Sequence, residues 1–153
     1  NKSALQDPSG VGRQLNYYEN IRTTQSLGME IHLPKDRFTR TAIYFPSVNQ
    51  PGVAVTVYDN DTGRELFETR IDKLWNGVYL ILDLCGNIRV RCSAYGWWYT
   101  AKLSALFFDP SDRPVSPGND CSLAVLIQKD FGTSGDWTGR YGSWGYHLAG
   151  IDT

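Results

Sequence analysis

Hydrophobic and polar residues alternate along much of this chain, in short runs bounded by glycine and proline. The alternation is clean over residues 28–33 and 53–58, and runs over 14–22, 40–48, 65–71 and 122–131 also favour strands. Turn glycines at 52, 63, 77, 86 and 96 recur every 9 to 14 residues, which is typical of antiparallel sandwiches rather than βαβ units. We therefore predict an all-β, antiparallel, jelly-roll-like β-sandwich of about eight or nine strands.

Residues 76–110 contain three apolar runs and organise the rest of the chain. Gly86-Asn87 separates the first two, which predicts a two-residue hairpin because glycine tolerates the positive φ of such turns. This register places five apolar residues on one core face: Tyr79, Ile81, Ile88, Val90 and Cys92. Asp83 falls awkwardly on the same face, so a bulged turn is the alternative. The third run, 101–108, is apolar on both sides and is predicted to lie deep in the sheet.

The length of the chain, 153 residues, favours a single domain over residues 1–153. We assign 14–110 to the core sandwich, 111–131 to a linker plus a strand, and 132–153 to a tail rich in glycine and aromatic residues. The formal net charge of −1 argues against a nucleic-acid partner, and no apolar run is long enough for a membrane span. Asn1 starts no signal-peptide pattern, so we expect a mature or excised chain.

The three cysteines leave two alternatives open. On the predicted hairpin, Cys85 and Cys92 lie roughly 13 Å apart along the ladder, too far for a disulfide. Cys121 is available to pair with either of them, and buried free thiols are the other reading. The spacing contains no zinc-binding pattern.

Metal and catalytic chemistry have little support in the sequence. Asp59 and Asp61, in the run Asp-Asn-Asp-Thr-Gly, carry oxygen ligands of the kind that calcium takes, but the same residues form ordinary turns. We otherwise expect no cofactor. A glycosidase would need two carboxyl groups about 5 to 10 Å apart, for which Asp83 with Glu68 or Asp109 are the candidates. We expect no enzyme activity, with a small hydrolase or lyase as the open alternative.

Two aromatic clusters are the candidate binding sites. Neighbouring residues of an extended chain point in opposite directions, so some rings of the tip at 95–99 should be exposed. The rings of that tip proposed for binding are those of Trp97, Trp98 and Tyr99. In the tail, glycines separate the proposed residues Trp137, Arg140, Tyr141, Trp144, Tyr146 and His147. Sugars pack flat C–H faces on such rings and bond their hydroxyls to polar groups; the alternative is that the rings only close one end of the sandwich.

Four stretches resemble a family of β-sandwich modules from secreted bacterial carbohydrate-active proteins. They are TAIYF at 41–45, VAVTVYDNDTGREL at 53–66, WNGVYLILDLCGNIRVR at 75–91 and KLSALFFDP at 102–110. The resemblance implies a secreted, non-catalytic accessory module that binds polysaccharide or oligosaccharide beside the catalytic domain of a parent protein. The runner-up is a structural or self-association module without sugar binding.

The tail motif GDWTGRYGSWGY at 135–146 resembles a motif that we expect at the beginning of such a module. Here it comes last, and three explanations remain open. The chain is circularly permuted, or it is cut across tandem modules, or the tail is exchanged between two chains and makes a homodimer.

Overall fold

The computed structural model describes residues 4–9, 11–19, 26–48, 50–95, 99–115 and 122–150. These ranges are all-β, and they include no helix with the length and apolarity needed to cross a membrane. In chain order the strands are β1 (Leu5–Gln6), β2 (Arg13–Gln14), β3 (Tyr18–Glu19), β4 (Ser26–His32), β5 (Thr39–Phe45), β6 (Val53–Asp59), β7 (Glu65–Ile71), β8 (Val78–Cys85), β9 (Asn87–Ala94), β10 (Lys102–Leu103), β11 (Ala105–Pro110), β12 (Leu123–Asp130) and β13 (Gly145–Leu148).

Two antiparallel sheets form the body of the molecule. One has the order β4-β9-β6-β7 and the other β12-β8-β5-β11-β13, while β1–β2 and β3–β10 are separate short pairs. Apolar side chains from both larger sheets form one main core between them. Along β6 the valines at 53, 55 and 57 are fully buried and the residues between them only half-buried, as expected for a strand with one face inward. The predicted antiparallel β-sandwich is confirmed.

Most predicted strands are present at the expected positions. β4 covers the alternating run at 28–33, β7 spans the predicted 65–71, and β12 lies within 122–131. β5 ends at Phe45, immediately before Pro46, because proline has no N–H to donate to a ladder. β11 lies between β5 and β13, in agreement with the deep position expected for its run. The weak run at 14–22 yields only the two-residue β3 and the end of β2 in its described part.

The predicted hairpin at Gly86-Asn87 is wrong. β8 pairs with β5 and β12, whereas β9 pairs with β4 and β6, so the chain passes from one sheet to the other at Gly86. Gly86 has φ of 82°, and its amide and carbonyl bond to Pro34 and Leu33 of the neighbouring β4–β5 connection. A left-handed glycine serves this crossing as well as it would serve a hairpin turn.

The shared core face predicted from that hairpin is also wrong. Ile88, Val90 and Cys92 belong to the main core, but Tyr79 and Ile81 lie on the opposite, outer side of the five-stranded sheet. That outer side carries a second core, to which the first residues and the tail of the chain contribute. Its buried members are Leu5, Ala42, Tyr44, Tyr79, Ile81, Ala105, Phe107, Trp137 and Leu148. Because β8 is covered on both faces, all of its residues are buried.

The cysteines resolve into two states. Cys85 is disulfide-bonded, while Cys92 is a free thiol buried in the main core. Burial raises the pKa of the Cys92 thiol to about 12, so it stays protonated at neutral pH. Cys121, the predicted disulfide partner, lies outside the described residues.

Candidate functional site

The glycine- and aromatic-rich tail packs on the outer face of the five-stranded sheet of its own chain. β13 extends this sheet by pairing with β11, which places Tyr146 opposite Phe107. The loop before β13 is held by the Asp109 carboxylate, which accepts bonds from the amides of Gly142 (2.8 Å) and Ser143 (2.7 Å). The described part of the tail, residues 132–150, is therefore built into the fold.

Trp137 lies at the centre of this second core. Its side chain is 4% exposed, and its ring centroid is 5.0 Å from that of Phe107 and 4.9 Å from that of Tyr146. The indole N–H donates to the carbonyl of Gln6 at 2.8 Å. Most of the ring is thus occupied by protein contacts, and only an edge is left for a ligand.

Tyr141 is half-buried and joins the second core to a charged group. Its ring stacks on Tyr79 with centroids 4.5 Å apart, and its hydroxyl donates to Asp130 at 2.5 Å. Burial, and then this bond, raise the pKa of Tyr141. Burial alone would raise the pKa of Asp130, but hydrogen bonds from Thr133 and Tyr141 outweigh it and lower that pKa. The negative charge therefore stays on the carboxylate and the proton on the phenol.

Four of the predicted sugar-binding residues lie together around one open cleft of about 320 Å³, which we call the tail cleft. They are Trp137, Arg140, Tyr141 and Tyr146. Gly139 and Gly142, with φ of 77° and 80°, form the turns that bring these side chains to the cleft. Arg140 is exposed and also donates to the Thr133 hydroxyl at 3.2 Å. The cleft thus combines ring edges with a cation at its rim.

Trp144 and His147, also predicted from the tail, are not among the residues that line this cleft. Trp144 is 56% exposed, and the Arg37 guanidinium lies 5.8 Å from its ring centroid. His147 is exposed, and its ring is nearly parallel to that of Tyr18 at a centroid distance of 5.8 Å. Its Nε2 is 2.9 Å from the Tyr18 hydroxyl.

The predicted aromatic tip contributes one described residue. Tyr99 is half-buried and packs against the main core, so its ring is not a free platform. Trp97 and Trp98 lie outside the described residues, and the prediction for them stays a prediction.

The proposed calcium ligands already have protein partners. The Asp61 carboxylate accepts bonds from Asn87 at 3.0 Å and Lys35 at 3.3 Å, and Asp59 is buried and caps the amide of Asp61 at 2.9 Å. These contacts are those of a turn between β6 and β7. Across the part of the chain that the structure describes, no group of three or more His, Cys, Asp or Glu side chains is placed to hold a metal ion.

Asp83, which both candidate catalytic pairs share, is already bound by arginines. Asp83 is fully buried on the outer side of the five-stranded sheet, and its two oxygens accept bonds from Arg40 (3.1 Å) and Arg113 (3.0 Å). Glu68 pairs with Thr56 of β6, whose side chain is not part of the main core, so Glu68 lies on the outer face of the four-stranded sheet. Asp109 is two strands from Asp83, with Arg40 between them. Because Asp83 is fully buried and bound by both arginines, neither pair presents it to a substrate.

A second open cleft, of about 590 Å³, contains none of the residues predicted from the sequence; we call it the end cleft. Asp130 at the end of β12 is opposite Tyr79 near the start of β8, so the loops beyond them are neighbours at this end of the sandwich. The cleft is lined by Arg13, Asn76, Phe131, Gly132, Thr133, Ser134 and Asp136. Arg13 and Asp136 form an ion pair across it.

Trp75 directly precedes Asn76, which lines the end cleft, and is 65% exposed. The sequence contains a signal for it: Trp-Asn-Gly between two strand-like runs puts a large ring where a small turn residue is usual. The sequence prediction included Trp75 only as the first residue of the resembling stretch at 75–91 and missed its exposed ring.

Comparisons with known proteins give no relative from which a function could be inferred. Neither protein-family models, nor curated proteins, nor solved structures give a match to the chain.

Proposed function

We propose that the protein is a non-catalytic carbohydrate-binding module that holds a polysaccharide or oligosaccharide in the tail cleft. In this proposal it is secreted by a bacterium and acts beside the catalytic domain of a parent protein. The observation that carries the proposal is the convergence of three aromatic residues and Arg140 on one open cleft. The resemblance of the tail motif to those of accessory carbohydrate-binding modules gives the same ligand class.

The chemistry of the tail cleft suits a sugar better than a fully apolar ligand. Half-buried Tyr141 and Tyr146 offer ring edges for C–H groups, and the exposed Arg140 offers N–H donors for hydroxyls. A volume of about 320 Å³ is near the lower end for small-molecule sites, which suits a short segment of a glycan. Because the cleft is shallow and the rings are partly covered, we expect weak binding at a single site.

The described lining of the tail cleft holds a single carboxylate, which favours a binding role over hydrolysis. Asp109 is the carboxylate among the described residues that line it, and its oxygens accept bonds from the tail loop. Glycoside hydrolysis by the usual routes needs an acid and a second carboxylate across the scissile bond.

The order of the strands supports the circularly permuted reading of the resemblance. When β13 is counted first and β4 to β9 and β11 follow, the strands stand as 1-8-3-6 in one sheet and 2-7-4-5 in the other, with β12 added at an edge. This order supports our proposal of an eight-stranded jelly roll. In this proposal the tail strand takes the place of the leading segment that the resemblance expects.

Glycan-array screening followed by calorimetry tests the proposal. The array should identify plant, algal or microbial glycans that bind with Kd in the range of about 0.01–1 mM. Arg140→Ala should weaken that binding at least about fivefold, whereas Arg64→Ala, an equal loss of charge on the exposed β6–β7 turn, should leave it unchanged. Absence of binding to every glycan up to millimolar concentration, or equal affinity of the two variants, would contradict the proposal.

A second candidate function is self-association, favoured by the apolar edge strand β12. Leu123 and Leu126 are 46% and 40% exposed on this strand, which pairs on one side with β8. Light scattering of the whole chain and of Leu126→Lys separates the two functions. If the whole chain is a dimer and Leu126→Lys is a monomer, association through β12 is supported. If the whole chain is a monomer at every concentration, self-association is excluded.

A further inference from the structure

The end cleft has the features of a binding site of its own. Exposed apolar rings normally cost solubility unless they serve a contact, and the loops of this cleft carry two. Phe131, 40% exposed, lines the cleft, and Trp75, 65% exposed, directly precedes the lining residue Asn76. At about 590 Å³ the end cleft is larger than the tail cleft and within the usual range for ligand sites.

The backbone around this cleft is held in an uncommon conformation. Among the described residues, Trp75 (φ 48°) and Ser134 (φ 51°) are the non-glycine residues with positive φ, and both belong to the loops that form the cleft. A bulky residue rarely adopts this region, and such conformations persist only where the surrounding structure imposes them, often at ligand sites. Two of them on facing loops indicate that the loops are shaped for a purpose beyond connecting strands.

Buried tyrosines of the second core fix both walls from below. The Tyr44 hydroxyl donates to the carbonyl of Asn76 at 3.4 Å, and the Tyr79 hydroxyl donates to the carbonyl of Ser134. Both tyrosine side chains are fully buried, so they are rigid supports. The cleft is therefore organised before any ligand arrives, which lowers the entropic cost of binding.

The charges of the cleft select the class of ligand. Arg13 and Asp136, the charged residues among its described lining, are paired with each other, so the lining carries no net charge. Asn76 and Thr133 add uncharged polar groups. The Lys73 ammonium lies 5.4 Å from the Trp75 ring centroid, and the ring still keeps most of its surface in solvent. A neutral ligand with flat C–H faces and many hydroxyls fits these groups.

We propose that the end cleft is a second saccharide site, separate from the tail cleft, that takes a neutral oligosaccharide on Trp75 and Phe131. The hydroxyl groups of the oligosaccharide form hydrogen bonds with the Arg13–Asp136 pair and with Asn76. The ligand class is shared with the proposed function, on which the inference rests in that respect, but the residues are different.

Backbone amide NMR of the whole chain tests the two sites separately. The probes are neutral tetrasaccharides of glucose, galactose, mannose and xylose in both anomeric linkages, with a tetragalacturonate as the acidic comparison. We expect a neutral probe to shift the amides of Asn76 and Gly132, which mark the end cleft. The amides of Gly139 and Gly142 report the tail cleft in the same spectra.

Matched tryptophan variants establish the role of the ring. Trp75→Ala should weaken binding at the end cleft at least about fivefold, and Phe131→Ala should weaken it in the same direction. Trp144→Ala removes a comparably exposed ring near the opposite end of the sheet and should leave binding at the end cleft unchanged. Each spectrum also shows whether the variant is folded.

The possible results distinguish the inference from the proposed function. Shifts at the end cleft alone support the second site and overturn sugar binding in the tail cleft. Shifts at the tail cleft alone overturn the second site and leave the proposed function standing. An end-cleft affinity that Trp75→Ala does not change, stronger binding of the acidic probe there, or no shift with any probe also overturns the inference.

Discussion

Replacing Trp137 by alanine tests whether the tail is a structural part of the fold. In the structure this ring is buried in the second core, between Phe107 and Tyr146, and its N–H bonds to the Gln6 carbonyl. The substitution therefore removes a large buried side chain together with its hydrogen bond to the Gln6 carbonyl. If the ring served mainly as a sugar platform, its loss would leave the fold almost unaffected.

The expected cost follows from the extent of burial. Truncating a buried Phe or Trp to alanine lowers the free energy of unfolding by about 3–5 kcal/mol, which already includes the ring contacts. The lost indole hydrogen bond contributes about 1 kcal/mol of this. We expect about 4 kcal/mol for Trp137→Ala, against a total stability of about 5–15 kcal/mol for a typical domain. For a chain of this length the melting temperature should fall by about 8–16 °C.

Urea unfolding followed by far-UV circular dichroism measures this free energy, with Trp144→Ala as the control. Trp144 belongs to the same tail but is 56% exposed, so its removal should change the free energy of unfolding by less than about 0.5 kcal/mol. Trp137→Phe keeps an apolar ring but loses the indole hydrogen bond, so its free energy of unfolding should lie between those of the two variants. Equal unfolding midpoints for Trp137→Ala and Trp144→Ala, with unchanged m-values, would refute the assignment of the tail to the core.

Three further predictions concern other parts of the sandwich. Gly77→Ala should lower the free energy of unfolding, measured in urea, by at least about 2 kcal/mol. The reason is that φ is 101° at Gly77 and that the new Cβ would lie 1.9 Å from the Tyr44 hydroxyl. Gly28→Ala is the control: the space around Gly28 is open, so its free energy of unfolding should not change. The Cys92 thiol should resist thiol reagents at pH 8 until the chain unfolds, because it is buried and its pKa is about 12; rapid labelling of the native protein would contradict this. Burial alone would raise the pKa of Asp83, but the hydrogen bonds from its two arginine partners outweigh burial and lower that pKa. The ionised Asp83 therefore contributes its full stabilisation above the unfolded pKa of about 3.9. This stabilisation is lost as the pH falls through the lower pKa of the folded state. Asp83→Asn should cost about 2 kcal/mol at pH 7 and make acid unfolding less steep, and an unchanged acid profile would contradict the ion pairs.

The strands could be predicted because they follow local patterns. The valines of 53–57 alternate with half-buried residues, and that period of two is a property of any strand with one buried face. Pro46 ends β5 for a reason that lies in one residue. Such features depend on neighbours in the chain, which the sequence displays directly.

The pairing of β8 and β9 could not be predicted in the same way. A glycine with positive φ serves a hairpin and a crossing between sheets equally well, and the choice depends on where β4, β5, β6 and β12 lie. The sequence contained one warning, since the hairpin put Asp83 on the core face. In the structure Asp83 is on the outer side of its sheet, where Arg40 and Arg113 reach it.

The candidate site was predicted in part. The tail motif led to Trp137, Arg140, Tyr141 and Tyr146, and the structure brings these four to one cleft. How much of each ring is covered depends on a second core whose existence no local pattern reveals, because it forms from the outer side of β8 and from chain segments far away in sequence. For the same reason the end cleft and Trp75 became visible only when the loops were seen side by side.

The place of β13 beside β11 has a consequence for synthesis of the protein. A ribosome delivers β11 long before β13, so a nascent chain must keep one sheet edge and the apolar face around Phe107 uncovered while the tail is still in the exit tunnel. Folding of the sandwich can finish only after release of those residues. Translation that stops before Gly145 would leave a polypeptide in which β11 is an exposed, aggregation-prone edge strand. Such a chain would be a substrate for chaperones and proteases.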